Sequence, residues 1–180
     1  MNCPIQFTSL CDRLGRNDKE GPVMPENLAS PAIVPPTRLA VDELVPHANK
    51  AMLTLDAAAR KVSLEPALLE LVRLRASQIN GCAYCVDMHS GVARKGGVSE
   101  RRLYALAVWP ESPFFTARER AALALTEAVT RLSEGPVSDQ VYAEAAARFS
   151  ETELAELIWA IAVINAWNRL GATARPWPLA

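Results

Sequence analysis

Apolar positions recur at helical spacing from about Val45 onward, and the residues between the runs are those that start and stop helices. Pro46 suits a first turn, with Met52, Leu53, Leu55 and Ala59 supplying apolar positions before a break near Ser63. A second helix is predicted over Leu64 to Ser77, with Pro66 near its start. A third begins between Asn80 and Cys82 and stops at Gly96-Gly97, where a left-handed C-cap is natural. Ser99 can cap a short helix through Ala107, after which Pro110 and Pro113 force an irregular connection. Two later starts carry capping boxes. Thr116 with Glu119 opens a helix reaching Leu132, ended by Gly135-Pro136, and Ser150 with Glu153 opens a longer one reaching Leu170 before Gly171. Between them Ser138 begins a shorter helix through Arg148.

Strand-like alternation is absent and no internal repeat recurs at solenoid periods, so the pattern predicts an all-α bundle. Trp159, Ile161, Val163, Ile164 and Trp167 nearly surround the last helix with apolar surface. Such a helix is buried either at the centre of its own chain or against a neighbouring subunit, and periodicity does not separate the two. Residues 1–36 read differently, with many prolines and few periodic apolar positions, so they are expected to form an extended or disordered arm ahead of a helical domain at 37–180.

Composition sharpens this picture in three ways. A chain of 180 residues with half its positions hydrophobic can bury a core without staples, and an excess of Ala and Leu over aromatics favours helix. The net charge of -1 and pI near 6.2 give no electrostatic reason to expect nucleic acid. The short basic run of Arg94, Lys95, Arg101 and Arg102 reads as a solvated helix face. The first residues, MNCPIQFTSLCDRLG, lack the basic and apolar regions of a secretory signal, and Leu157 to Ala166 is too short to span a bilayer. A cytoplasmic location is therefore expected, where a close cysteine pair is a reactive group more often than a staple.

The candidate chemistry lies between Glu70 and His89, ELVRLRASQINGCAYCVDMH. Cys82, Cys85 and His89 stand at i, i+3 and i+7, within an arc of roughly 60° on a helix. Cα atoms three apart on a helix are about 5 to 6 Å from each other, inside disulfide range. A helix start at Asn80 to Cys82 would aim free N–H groups and the positive dipole end at the first thiol. The imidazole one turn beyond Cys85 can take its proton. Two other readings remain open: buried cysteines acting as small apolar filler, and a zinc site on Cys82, Cys85 and His89. The zinc site lacks a fourth ligand, because Cys3 and Cys11 lie in the proline-rich arm and His47 stands alone.

At these residues the sequence resembles the alkylhydroperoxidase D-like branch of the carboxymuconolactone decarboxylase family. The branch pattern of a glutamate, a Leu-Arg-x-Ser segment and Cys-x-x-Cys-x-x-x-His is matched by Glu70, Leu74, Arg75, Ser77, Cys82, Cys85 and His89, with Glu70 twelve residues before Cys82. The similarity runs from about Thr37 to the C-terminus and takes in ERAALALTEAVT from Glu119 and NAWNR around Asn168. The resemblance implies an all-helical, oligomeric protein, trimeric or hexameric, that reduces hydroperoxides with Cys85 attacking and Cys82 resolving. It also makes Met24 nearer to where relatives begin, and Cys3 and Cys11 incidental. One position departs: the family's best-described peroxidase has a histidine next to the second cysteine, and here Tyr84 stands there. A phenol hydrogen-bonds but carries protons poorly at neutral pH, so Tyr84 is as readily a packing aromatic as a supporting catalytic group.

The expected activity is a thiol-dependent, antioxidant peroxidase with a reversible Cys82-Cys85 disulfide, assisted by His89 and Glu70. It would need a hydroperoxide and a dithiol or protein-thiol reductant, and neither metal nor cofactor. Glu70 alone, without the resemblance, reads first as an ion pair with Arg73 or Arg75. The competing functions are the family's decarboxylase branch, which does not need a cysteine pair, and a non-catalytic helical oligomeric module.

Overall fold

A computed structural model of the chain describes residues 35–177. Most of the expected N-terminal arm, with Cys3, Cys11 and Met24, lies outside the described residues. Eight α-helices and one 3₁₀ helix follow in order, and no strand occurs among the described residues. They are α1 (Val41–Leu44), α2 (Pro46–Arg60), α3 (Pro66–Asn80), α4 (Ala83–Lys95), α5 (Glu100–Ala105), the 3₁₀ segment Leu106–Glu111, α6 (Ala117–Thr130), α7 (Asp139–Ala146) and α8 (Glu151–Ala174). The all-α expectation holds.

Local chemistry sets the starts. Pro46 and Pro66 lie in the first turns of α2 and α3, where a missing N–H costs nothing. Both predicted capping boxes form, so Thr116 and Ser150 each accept from the N3 backbone while Glu119 and Glu153 return the bond. The ends differ more from expectation. Helix α3 continues past Ser77 to Asn80, and Gly81 takes the left-handed cap at φ 65°. At the end of α4 the left-handed residue is Gly97 (φ 90°), while Gly96 is not. The stretch 106–111 winds as a 3₁₀ helix with Pro110 inside, and α6 and α7 stop two residues early, at Thr130 and Ala146.

Two corrections bear on the site. The helix buried on most sides is α3, where Leu68 through Leu74 are all buried in succession. One side of α3 (Leu68, Leu69, Val72) joins a core with Leu125 of α6 and Leu157 and Ile161 of α8, and the other (Leu71, Leu74) joins a second core with Leu106 and Leu123. Helix α8 packs its apolar core side on α3 and leaves Ile158 and Trp159 exposed. Nor does α8 stop at Gly171; it runs on to Ala174, whose carbonyl accepts from the backbone N–H groups of Arg38 and Leu39. Among the described residues no helix is long and apolar enough to cross a membrane.

Candidate active site

Helix α3 carries two charged side chains into the protein interior. Glu70 and Arg73 are both buried, and isolated charges there would be costly unless paired. Glu70 splits its two oxygens between two partners: Oε1 accepts from Arg73 Nη1 at 2.6 Å, and Oε2 meets His89 Nδ1 at 2.7 Å. Glu70 is therefore in contact with both Arg73, the cation of its ion pair, and His89. Arg75 turns elsewhere, to Glu127 at 2.7 Å, where Trp109 Nε1 also donates. Burial pushes the Glu70 carboxyl up, but the His89 hydrogen bond and charge, with the charge of Arg73, outweigh it and hold the group below its ordinary value of 4.5. A depressed carboxyl gives its full stabilisation above that ordinary value and loses it as pH falls through the lowered one, so Glu70 is an anion at neutral pH.

The cysteines sit at the α3–α4 junction. Gly81 ends α3 and Cys82 is the N-cap of α4, at φ -85° and ψ 96°, with its Sγ accepting from the Cys85 backbone N–H at 3.4 Å. Cys82 thus lies just outside the helix instead of on the helical arc that the spacing suggested, while Cys85 and His89 share one face inside it. The two sulfurs are joined as a disulfide, with Cα atoms 5.3 Å apart.

Behind this junction lies a polar cluster with no assigned role at the sequence level. Asn80 Nδ2 donates to Asn165 Oδ1 (2.8 Å) and Asn168 Oδ1 (3.0 Å). Asn168 is fully buried and donates to Ser77 Oγ, which donates to the Arg73 carbonyl. The Cys82 backbone N–H closes the set on the Ser77 carbonyl at 3.1 Å. Asn165 and Asn168 of the NAWNR segment therefore tie α8 to the turn that presents the cysteines. The sequence signals were two asparagines at i and i+3 in an apolar helix and the family similarity of the NAWNR segment, neither of which gave them a role.

Gly171 was missed because it read as a helix stop. A Cβ at this position would stand 2.8 Å from Cys82 Sγ, 3.3 Å from Trp177 Cζ3 and 3.6 Å from Cys85 Sγ. Only glycine lets α8 pass this close to the sulfurs.

A cavity of about 250 Å³ opens against Cys85 and His89, with Leu53, Met88, Ile164 and Trp167 among its apolar walls and Asp42, Asp56 and Arg60 among its polar ones. Cys85 lines it and Cys82 does not. Tyr84 also lines it and packs on Trp177, ring centroids 5.1 Å apart, an arrangement suited to an aromatic wall. His47 is exposed on α2 and does not line the cavity, and among the described residues no cluster of His, Cys, Asp and Glu is arranged to hold a metal ion.

These features define a helical protein with a Cys-x-x-Cys pair at a helix start, a buried Glu–His couple and an adjoining cavity of mixed polar and apolar walls. Residues 46–128 match the Carboxymuconolactone decarboxylase family. An uncharacterized Bacillus subtilis protein, YdfG, is 36% identical over 133 residues, spanning 74% of this chain and 90% of its own. A solved structure of an Agrobacterium tumefaciens protein of unknown function, a candidate AhpD antioxidant defence protein, is 39% identical with a TM-score of 0.77. It covers 79% of this chain, which in turn covers 97% of it. The debrominase Bmp8 shares the fold, with a TM-score of 0.67 at 24% identity over 74% of this chain and 72% of its own. The chain belongs to the carboxymuconolactone decarboxylase family, in its alkylhydroperoxidase D-like branch.

Gly171→Ala tests the close approach of α8. Alanine in a helix interior is ordinarily worth about 1 kcal/mol over glycine, whereas overpacking a filled site costs about 1 to 3 kcal/mol. In the disulfide form Cys82 Sγ cannot rotate away, so the oxidised variant should melt below the parent. The reduced form, whose thiol can turn, should lose less. Calorimetry of both forms checks this, and a higher melting temperature for the oxidised variant would contradict it.

Proposed function

We propose that this chain is a thiol-dependent peroxidase that reduces hydroperoxides through a reversible Cys82–Cys85 disulfide. The observation that carries the reading is the placement of Cys85 on the cavity beside a histidine whose far nitrogen is held by a buried carboxylate. In the dithiol form His89 Nε2 takes the proton from Cys85, and the Glu70 carboxylate at Nδ1 favours the imidazolium that results. The thiolate attacks the terminal oxygen of the hydroperoxide, the O–O bond breaks, and the alcohol leaves with the proton from His89. Cys85 is then a sulfenic acid. Cys82 attacks its sulfur, water departs, and the disulfide forms. A dithiol or protein thiol of the cytoplasm supplies two electrons and two protons to restore the pair. Tyr84 serves here as a wall of the cavity.

The site asks for no metal or cofactor in this scheme. A decarboxylase of the same family would have no use for the cysteine pair, which is the part of the site most closely built around. The domain at 37–180 is proposed to work as a homo-oligomer, a trimer or hexamer. The apolar surface left by Leu53, Ile158 and Trp159, each at least a third exposed, supports that state. Light scattering on the purified protein is expected to give three or six chains; a monomer at micromolar concentration would remove the oligomer.

The division of labour between the sulfurs is tested by substitution. Cys85→Ser should abolish peroxide consumption. Cys82→Ser should retain one oxidisable thiol and accumulate a sulfenic acid or a mixed disulfide at Cys85. Peptide-mapped mass spectrometry after one equivalent of peroxide distinguishes them, and loss of reaction in both variants with no adduct at Cys85 would argue against the scheme.

A further inference from the structure

The segment after α8 takes a course that the chemistry above does not use. Ala174 accepts from the backbone N–H groups of Arg38 and Leu39, at 3.0 and 3.1 Å, and Arg38 Nη1 donates to the Thr173 carbonyl. The next residue, Arg175, lies at φ 45° and ψ 53°, the only residue other than glycine with positive φ among the described residues. That region is disfavoured for a side chain with a Cβ and persists where the surroundings enforce it. Its effect is to turn the chain back, so that Pro176 and Trp177 return to the start of α4.

Trp177 is then held from three elements. Its ring packs on Tyr84 of α4, meets Trp167 of α8 edge-on at 5.8 Å, and its Nε1 donates to Asp42 Oδ2 of α1 at 3.2 Å. The ring edge and both sulfurs converge on the same bare face of Gly171. Trp177 is half-buried and lines the cavity with Cys85. It is therefore part of the cavity wall beside Cys85, held there by two ring contacts and one hydrogen bond.

We propose that Trp177 is the specificity-determining residue of this site, a gate that limits by size the reactants reaching Cys85. The proposal rests on the cysteine pair being the reactive group, as read above, but not on hydroperoxide being its substrate. Asp42 acts through Trp177 as its positioning residue. A bulky rigid wall of this kind discriminates by steric exclusion, and removing it should admit larger reactants preferentially.

The test uses the full chain, reduced with dithiothreitol and desalted, and follows alkylation of Cys85 by peptide-mapped mass spectrometry. N-methylmaleimide and N-(1-pyrenyl)maleimide share one reactive group and differ in size. In Trp177→Ala the rate ratio of pyrenyl to methyl reagent should rise by about 10-fold or more over the parent, within the range by which pocket shape discriminates. Asp42→Ala leaves the ring intact but frees its anchor, so the ratio should rise in the same direction by less. This second variant also carries the test if the first does not fold. A ratio unchanged in the folded variants overturns the gate. Failure of the parent to be oxidised by either hydrogen peroxide or cumene hydroperoxide would instead overturn the peroxidase reading, and the maleimide ratio would still decide the gate.

Discussion

The buried carboxylate of Glu70 is the constraint on which the rest of the site depends. It sits in the middle of α3, the most enclosed helix, and an anion there must be neutralised on the spot. Arg73, one turn along, supplies the opposite charge, and His89 of α4 hydrogen-bonds the other carboxylate oxygen. Breaking a buried pair by removing one partner costs about 3 to 5 kcal/mol, a large share of the roughly 5 to 15 kcal/mol that holds a domain together. The histidine is thus fixed in place by the same interaction that lets α3 carry a charge in the core.

The cysteines are positioned by a different set of interactions. Gly81 lets the chain leave α3, Cys82 caps α4, and the asparagines of α8 satisfy the polar groups exposed at that turn. Amides of this kind stabilise only when their partners are in place, so Asn80, Asn165 and Asn168 hold α3 and α8 in a single register. Gly171 completes the packing by bringing α8 against the sulfurs without a side chain between them. One face of the pair is thereby sealed by backbone, and the other opens on the cavity through Cys85.

Much of this was legible in the sequence, for reasons that differ by element. Helix starts were read well because their chemistry is local: Pro46 and Pro66 in first turns, and the boxes at Thr116 and Ser150. Ends were read less well because tertiary contacts decide them, as where α3 runs on to Asn80. The central burial of α3 was hidden by Glu70 and Arg73, which interrupt its apolar run, while α8 looked more buried than its exposed Ile158 and Trp159 allow. Cys82, Cys85 and His89 were grouped by their spacing, and Glu70 was joined to them only through the family pattern. Arg73 was visible as an ion-pair partner, but its pairing did not displace the histidine as that reading assumed. Gly171 and Trp177 could not be read, because a helix glycine and a tryptophan in a proline-flanked tail acquire meaning only from neighbours brought in by the fold, Cys82 and Cys85 for the one and Tyr84 and Asp42 for the other.

The coupling of Glu70 to the thiol through His89 is tested most directly by the alkylation rate of Cys85 against pH in a Cys82→Ser background, with and without Glu70→Gln. Glutamine keeps the shape and removes the charge that favours the imidazolium, so the thiolate should appear at higher pH. The rate at neutral pH should fall by about 10- to 100-fold, the usual cost of losing a partner that supports a reacting group. Superimposable pH profiles in a folded variant would contradict the coupling and leave Glu70 a structural partner of Arg73 alone.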